Sequence, residues 1–370
     1  MAKVDFLIVG AGFSGAVFAE QAANKGYSVL VIEKNNFIGG ACHDCYNSDN
    51  VLIHKFGAHI FHTNHENVWN YLSHFTQWNN YKHQVKANIG GKLYPFPINI
   101  NTLNSLYNLN LNEETIIQYF DKIRIKKDSV TNTEDQILST FGEDLYNKFY
   151  KFYTKKQWGL WANELTLDLN SRIKERTNYN DNFFTDKYQG IPSKGYTELL
   201  RNILNHKNIK IQLETDFQSI KNQINYNYLI YTGRIDEYFN YQLGKLPFRS
   251  IKFEYETHNK EFYQPVAVVN YTQNLEIEYT RIVESKHMTL QKTPITTIIK
   301  EFPTSDGYPY YPIPQKANYE LYTKYKKLSE SLKNVIFLGR SAEYKYYNMD
   351  EVCFNSIDIF KKAPKNKKQN

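Results

Sequence analysis

Gly10-Ala11-Gly12-Phe13-Ser14-Gly15 has the spacing G-x-G-x-x-G, and each glycine answers a different need of a bound dinucleotide. Gly10 makes a tight turn, Gly12 lets the backbone approach a pyrophosphate, and Gly15 lets helix and strand pack closely. The helix that opens at Phe13 and Ser14 offers free amides and its positive dipole end to phosphate. Glu33 stands 18 residues after Gly15, where a carboxylate accepts hydrogen bonds from ribose hydroxyls. The bland reading, a glycine-rich turn with no ligand, does not explain why the motif follows a strand, opens a helix and is completed by an acid at a strand end.

Glu33 is followed by Lys34 and a second glycine turn, Gly39-Gly40. This extension resembles that of FAD-binding oxidoreductases, and it makes FAD the expected cofactor. There is no second G-x-G-x-x-G, so no separate nicotinamide domain is expected. A flavin site without one points away from a conventional dehydrogenase.

Other residues offer chemistry with an ordinary alternative beside it. His59 and His62, around Ile60, are three apart after Gly57. Neutral imidazoles beside a flavin ring suit them better than a metal, because no Cys or carboxylate of matching spacing follows; structural histidines are the alternative. Cys42 and Cys45 form C-H-D-C, either a redox pair or, with more weight, two unrelated thiols, since a disulfide reductase would need a nicotinamide site. Phe149, Tyr150, Tyr153 and Trp158 recur at helical spacing, which makes a core face the default and a stacking platform for a base or sugar the alternative. Arg172, Arg176, Arg249, Arg281 and Arg340 are candidate anion ligands where they end apolar or alternating strands, and otherwise solvated charges.

These residues need a scaffold. Val4 to Val9, Ser28 to Ile32, Ile209 to Leu213, Tyr228 to Tyr231 and Val335 to Leu338 read as buried strands, and Ser14 to Asn24 as the first crossover helix. Val85 to Ile89 and Lys92 to Tyr94 form a hairpin around Gly90-Gly91, ended by Pro95 and Pro97. Residues 101–180 read as helices, and 248–302 alternate as an antiparallel sheet. The predicted fold class is α/β: a discontinuous FAD-binding Rossmann-like domain (1–75, 192–235, 330–360) with an inserted helical domain (98–191) and an antiparallel β-sheet domain (76–97, 236–329).

The net charge of +7 rests largely on five lysines in the last ten residues, so 361–370 reads as a basic, disordered tail. The near-neutral remainder offers no nucleic-acid surface. No apolar run is long enough to span a bilayer, and no signal-peptide pattern is visible. Three cysteines make no disulfide framework, and the cytosol is the expected compartment.

Taken together, G-A-G-F-S-G, I-G-G, F-G-A-H-I-F-H-T, Y-T-K-K-Q-W-G, Y-Q-G-I-P, V-N-Y-T, Y-T-R-I, P-Y-Y-P-I-P and G-R-S-A-E-Y-K-Y resemble the UDP-galactopyranose mutase family, from the first residues to about 358. The resemblance implies interconversion of UDP-galactopyranose and UDP-galactofuranose with reduced FAD and no net redox change. It implies that flavin N5 attacks the anomeric carbon and expels UDP, and that the sugar then opens and recloses. Carried over by motif, Arg172 and Arg281 clamp the diphosphate, helped by Tyr311 and Tyr346. Phe149, Tyr150 and Tyr153 hold the uridine, Asn270 lies on the nucleotide side, and Trp158 begins a mobile segment that closes with Arg172. His59, His62 and Arg249 lie by the isoalloxazine ring, while Gly339, Arg340 and Met349 contact the cofactor from the last strand.

Two positions depart from many relatives: Phe183 replaces a tyrosine and Asn348 an aspartate. A homodimer is implied by analogy. A flavin-dependent amine-oxidase-like enzyme and a flavin-free GDP-dissociation-inhibitor-like protein share the fold signals; the I-G-G segment and paired histidines argue against the latter.

Overall fold

The protein is described by a computed structural model covering residues 3–167, 173 and 175–363. Strand Val4–Val9 lies at the centre of a five-stranded sheet in which every pairing is parallel. Val29–Ile32 and then Ile209–Gln212 lie on one side of it; Tyr226–Tyr231 and then Val335–Phe337 lie on the other. Neighbouring strands therefore come from three distant stretches of chain. Both faces are covered, which explains the continuous apolar run. Phe6 and Ile8 enter one core with helices Phe13–Asn24, Tyr196–Leu204 and Met349–Lys362, while Leu7 enters another with Phe217 and Tyr231.

The second sheet has seven strands, in the order Tyr311–Pro312, Phe248–His258, Thr296–Thr304, Arg281–Glu284, Val268–Tyr271, Val85–Ile89, Lys92–Phe96. It is mixed rather than wholly antiparallel, because Val268–Tyr271 pairs parallel with Val85–Ile89. These two strands are far apart in sequence, so no tight turn between them imposes a direction. The hairpin continues to Phe96, through Pro95, on an outer strand where a missing amide is tolerated.

Helices Ile100–Tyr107, Thr115–Ile123 and Thr133–Leu145 share a core with the hairpin through Ile89, Ile98, Phe120 and Phe141, and helix Lys151–Trp158 follows them in the chain. A kink at Gly142 is followed by one π-helical turn, Tyr146–Tyr150. No helix of the described residues is long and apolar enough to cross a membrane. Lys361 and Lys362 belong to the last helix, not to a tail: cations suit the negative end of a helix dipole, and Lys362 pairs with Asp358 at 2.6 Å. The rest of the basic stretch lies outside the described residues.

Candidate active site

A cleft of about 340 Å³ opens beyond the carboxyl ends of the parallel strands, the usual ligand position in such sheets. Gly10 turns the chain there with φ 102°, and a Cβ on it would lie 2.2 Å from Thr232 Oγ1. A Cβ on Gly15 would lie 2.0 Å from the Gly10 carbonyl oxygen, so the helix could not sit against the turn. Gly12 is different. Its φ is −83°, and a Cβ would meet only Gly39 O and Gly40 Cα, at 3.9 Å. Gly10 and Gly15 build the turn; Gly12 keeps the space above the helix end clear, where no side chain caps the first turn.

Of the residues expected to bind the cofactor, Gly10, Gly12, Phe13, Ser14, Glu33, Lys34, Gly39, Gly40, His59, Arg340 and Met349 line the cleft. Glu33 is buried. Its Oε1 accepts from the Asn35 backbone and side-chain amides at 3.0 and 2.7 Å, and its Oε2 from the Ala11 amide at 3.0 Å. One lone pair of Oε2 is left for a ribose hydroxyl. Two glycine turns, an uncapped helix end and this carboxylate fit a dinucleotide. Gly15, Ile60 and Gly339 stand behind the wall: Ile60 is core, and a Cβ on Gly339 would strike Ser14 Oγ at 2.3 Å. Sequence reading missed Thr215, Asp216, Gln218, Glu237, Tyr308 and Tyr310, which also line the cleft. Thr215 and Asp216 lie three and four residues beyond the end of the Ile209–Gln212 strand, a position that was the available signal.

His59 donates from Nδ1 to the Gly57 carbonyl at 3.0 Å, which leaves Nε2 as an acceptor. Burial, with His54 beside it, holds its pKa down to about 3; burial holds His54 at about 4 and, with Arg281 and His62 nearby, His83 at about 3. In the unfolded chain such rings take a proton below about 6.5. The unfolded state therefore binds more protons in between, and stability should fall as pH drops from 6.5 toward 3. A thermal midpoint that stays level from about pH 6.5 to about pH 4.5 would contradict this burial. His62 does not line the cleft. It bonds Asp186 at 3.0 Å and stacks on Phe184 with centroids 3.7 Å apart.

A second constellation adjoins the cleft. Tyr311 stacks on Tyr346 at 5.4 Å, and Trp158 meets both edge-on at 6.3 Å. The Arg340 guanidinium lies over Tyr346 at 5.0 Å and Tyr311 at 5.7 Å. Arg281 sits opposite Asn270 across the strand pair, and its Nε donates to Glu301 Oε2 at 2.6 Å. Burial opposes its charge, yet the Glu301 carboxylate, with Tyr153 and Tyr311 nearby, holds its pKa well above the ordinary value. Glu301 is fully buried and, among the described residues, its Oε1 has no hydrogen-bond partner, as is true of Asn270 Oδ1. His83, absent from the predicted set, feels the Arg281 charge; a single histidine before a strand gives no signal in sequence.

Three expectations are corrected by position. Phe149 and Tyr150 are buried in the helical core, Phe149 stacked on Phe96 and Tyr150 on Phe141, because the π-helical turn directs both rings inward. Arg249 is not on the cleft wall; it is committed to the end of helix Lys151–Trp158. Its Nε and Nη2 donate to the Gln157 and Lys156 carbonyls at 3.0 and 3.1 Å, and its Nη1 to Ser305 Oγ at 2.9 Å. Phe183 packs edge-on against His83, 5.7 Å away. Arg172 lies outside the described residues.

Comparison with known proteins bears directly on this constellation. Residues 148–346, which carry Tyr153, Trp158, Asn270, Arg281, Tyr311 and Tyr346, match the family described as UDP-galactopyranose mutase. A probable UDP-galactopyranose mutase of Klebsiella pneumoniae is 36% identical over 359 residues, covering 95% of this chain and 92% of the relative. The chain belongs to the UDP-galactopyranose mutase family. A dTDP-fucopyranose mutase of Escherichia coli is 33% identical over 98% of this chain and 99% of its own length. Residues 8–75 match an NAD(P)-binding Rossmann-like domain. Among solved structures, a reduced UDP-galactopyranose mutase shares the fold with a TM-score of 0.76 at 14% identity, over 97% of this chain and 95% of that one.

Asn348, where the resemblance implies an aspartate in many relatives, has a local role. Asn348 is the N-cap of helix Met349–Lys362: its side chain accepts from the first turn, and its own amide donates to Glu351 Oε2 at 2.7 Å. Asparagine and aspartate cap about equally well, so the exchange keeps the helix start while removing one charge. Both C-H-D-C thiols are free; Cys42 lies 3.5 Å from the Met349 sulfur, and burial pushes its thiol up to about 12.

Proposed function

We propose that the chain is a flavin-dependent isomerase that interconverts UDP-galactopyranose and UDP-galactofuranose. One observation carries the reading: Arg340 lines the dinucleotide cleft and also covers the Tyr311–Tyr346 stack. Cofactor site and anion site thus share a wall, as a reaction between a flavin and a nucleotide sugar requires.

The residues fit FAD: Gly12 and the turn at Gly39-Gly40 would hold its pyrophosphate and Glu33 a ribose. Bound and reduced, FAD would supply a nucleophilic nitrogen, N5, for the anomeric carbon, with UDP as the group displaced. The protein's own part is orientation and charge. Glu301 takes the Nε–H of Arg281 and fixes its plane, which leaves the terminal N–H groups for diphosphate oxygens. That positive charge stabilises the leaving UDP. Tyr311 and Tyr346 donate to the same oxygens, and Tyr153, Trp158 and Asn270 frame the nucleotide. Arg172 is assigned as the second diphosphate arginine on motif alone. His59 stays neutral and presents Nε2 as an acceptor to the flavin or a sugar hydroxyl.

The dTDP-fucopyranose mutase relative favours a second reading, the same ring change on dTDP-fucose. One experiment separates them. The purified protein is reduced anaerobically with dithionite and offered UDP-galactofuranose and dTDP-fucofuranose in parallel. Conversion of the first, absent without reduction, is expected. Preference for the second moves the substrate assignment; no turnover of either sinks the mutase reading.

A further inference from the structure

Lys156 is buried, and its Nζ donates to three backbone carbonyls: Tyr271 at 2.7 Å, Ile277 at 2.9 Å and Tyr279 at 3.1 Å. Tyr271 ends strand Val268–Tyr271, next to Asn270, and Ile277 and Tyr279 lie on the connection that leads from it into strand Arg281–Glu284 at Arg281. Lys156 itself lies on helix Lys151–Trp158, between Tyr153 and Trp158. One ammonium thus ties the helix with two proposed nucleotide residues to both ends of the loop that joins two others.

We infer that Lys156 is a positioning residue that holds the helix of Tyr153 and Trp158 in register with the strands of Asn270 and Arg281, so that the two halves of the nucleotide-diphosphate site close on one ligand. The inference rests on the reading of those four residues as that site. Only a protonated lysine has three N–H groups for three carbonyls. The geometry is also cross-braced. Thr272 Oγ1 donates to the Lys148 carbonyl at 2.6 Å, and Arg249 donates to the carbonyl of Lys156 itself at 3.1 Å. Removing the ammonium leaves those braces in place, so the loop should shift rather than unfold, and the effect should appear in ligand affinity.

Burial pushes Lys156 down to about 8. Charged and titratable side chains on its own helix and on the segments that meet it include Tyr271, Glu276, Glu278 and Tyr279 along the connection, Lys300 and Glu301 on strand Thr296–Thr304, Glu164 on the turn after the helix, Arg249, and Lys148 and Lys155. Burial pushes Tyr271 up to about 12 and raises Tyr279, so neither ionises near 8. The tie is therefore complete below about 8 and loses a donor above it.

The test uses the flavin-loaded, reduced protein and UDP as probe, with Kd measured by titration and flavin content by absorbance. Lys156→Met is expected to weaken UDP at least about tenfold with flavin content unchanged. Wild-type Kd should rise between about pH 7 and about pH 9.5, and the variant should lack this limb. A merely structural lysine would lower the melting temperature and leave Kd alone; a folded variant with wild-type Kd overturns the inference. Should the variant not fold, the wild-type pH titration decides, and a flat Kd overturns it. Failure of wild-type protein to bind UDP at any pH refutes the proposed site instead.

Discussion

Arg281→Ala should lower turnover of UDP-galactofuranose by roughly 10³-fold while leaving FAD bound. The magnitude is that of removing a preorganised charge from the position where anionic charge develops. The flavin should stay because Arg281 is not among the residues that line the dinucleotide cleft. A second consequence follows from Glu301. Its carboxylate is fully buried, and among the described residues Arg281 holds the one oxygen that has a partner. Stripping a buried pair of one member costs about 3–5 kcal/mol, so the single variant should also unfold earlier. Arg281→Ala combined with Glu301→Gln should recover much of that stability and none of the activity. Calorimetry and a turnover assay on both proteins separate the two roles. Turnover within tenfold of wild type, or loss of flavin from the single variant, would refute the assignment of Arg281 to the diphosphate.

Two glycines three residues apart should fail in different ways. Gly15→Ala places a methyl 2.0 Å from the Gly10 carbonyl oxygen and 3.1 Å from Ile8 Cγ2. Neither the turn nor the strand can retreat easily. Overpacking against the backbone should cost at least about 1–3 kcal/mol and deplete folded protein. Gly12→Ala meets nothing closer than 3.9 Å and has an ordinary φ, so it should fold normally. Its methyl occupies the approach to the helix end, and flavin affinity should drop by at least about tenfold. Thermal unfolding of the apoprotein and flavin titration give the two readouts. A Gly12→Ala protein that purifies with full flavin would mean that the pyrophosphate does not pass over Gly12.

The dinucleotide turn was legible because its requirements are local. A strand, a turn that needs φ above zero and a helix start lie within a dozen residues, and each leaves a residue type behind. The same holds for the hairpin at Gly90-Gly91 and for the scattered apolar strands, whose continuous runs announce a sheet buried on both faces. The Arg281 cluster was legible only by resemblance. An arginine at a strand end looks the same whether it pairs with solvent or with a carboxylate 20 residues away. Phe149 and Tyr150 illustrate the reverse: helical spacing pointed to the core by default, and the π-helical turn after Gly142 sends them there.

By itself the sequence determined the parallel sheet, the glycine turn, the carboxylate at Glu33 and the likeness to a family, since all rest on short-range pattern. Only the tertiary structure decided which charges are partnered. Arg249 caps a helix, Glu301 anchors Arg281, and Lys156 joins a helix to a distant loop. Each of these turns on which buried carbonyl, amide or carboxylate folding brings within about 3 Å, and hydrogen bonds between residues far apart in the chain leave no periodic trace in it.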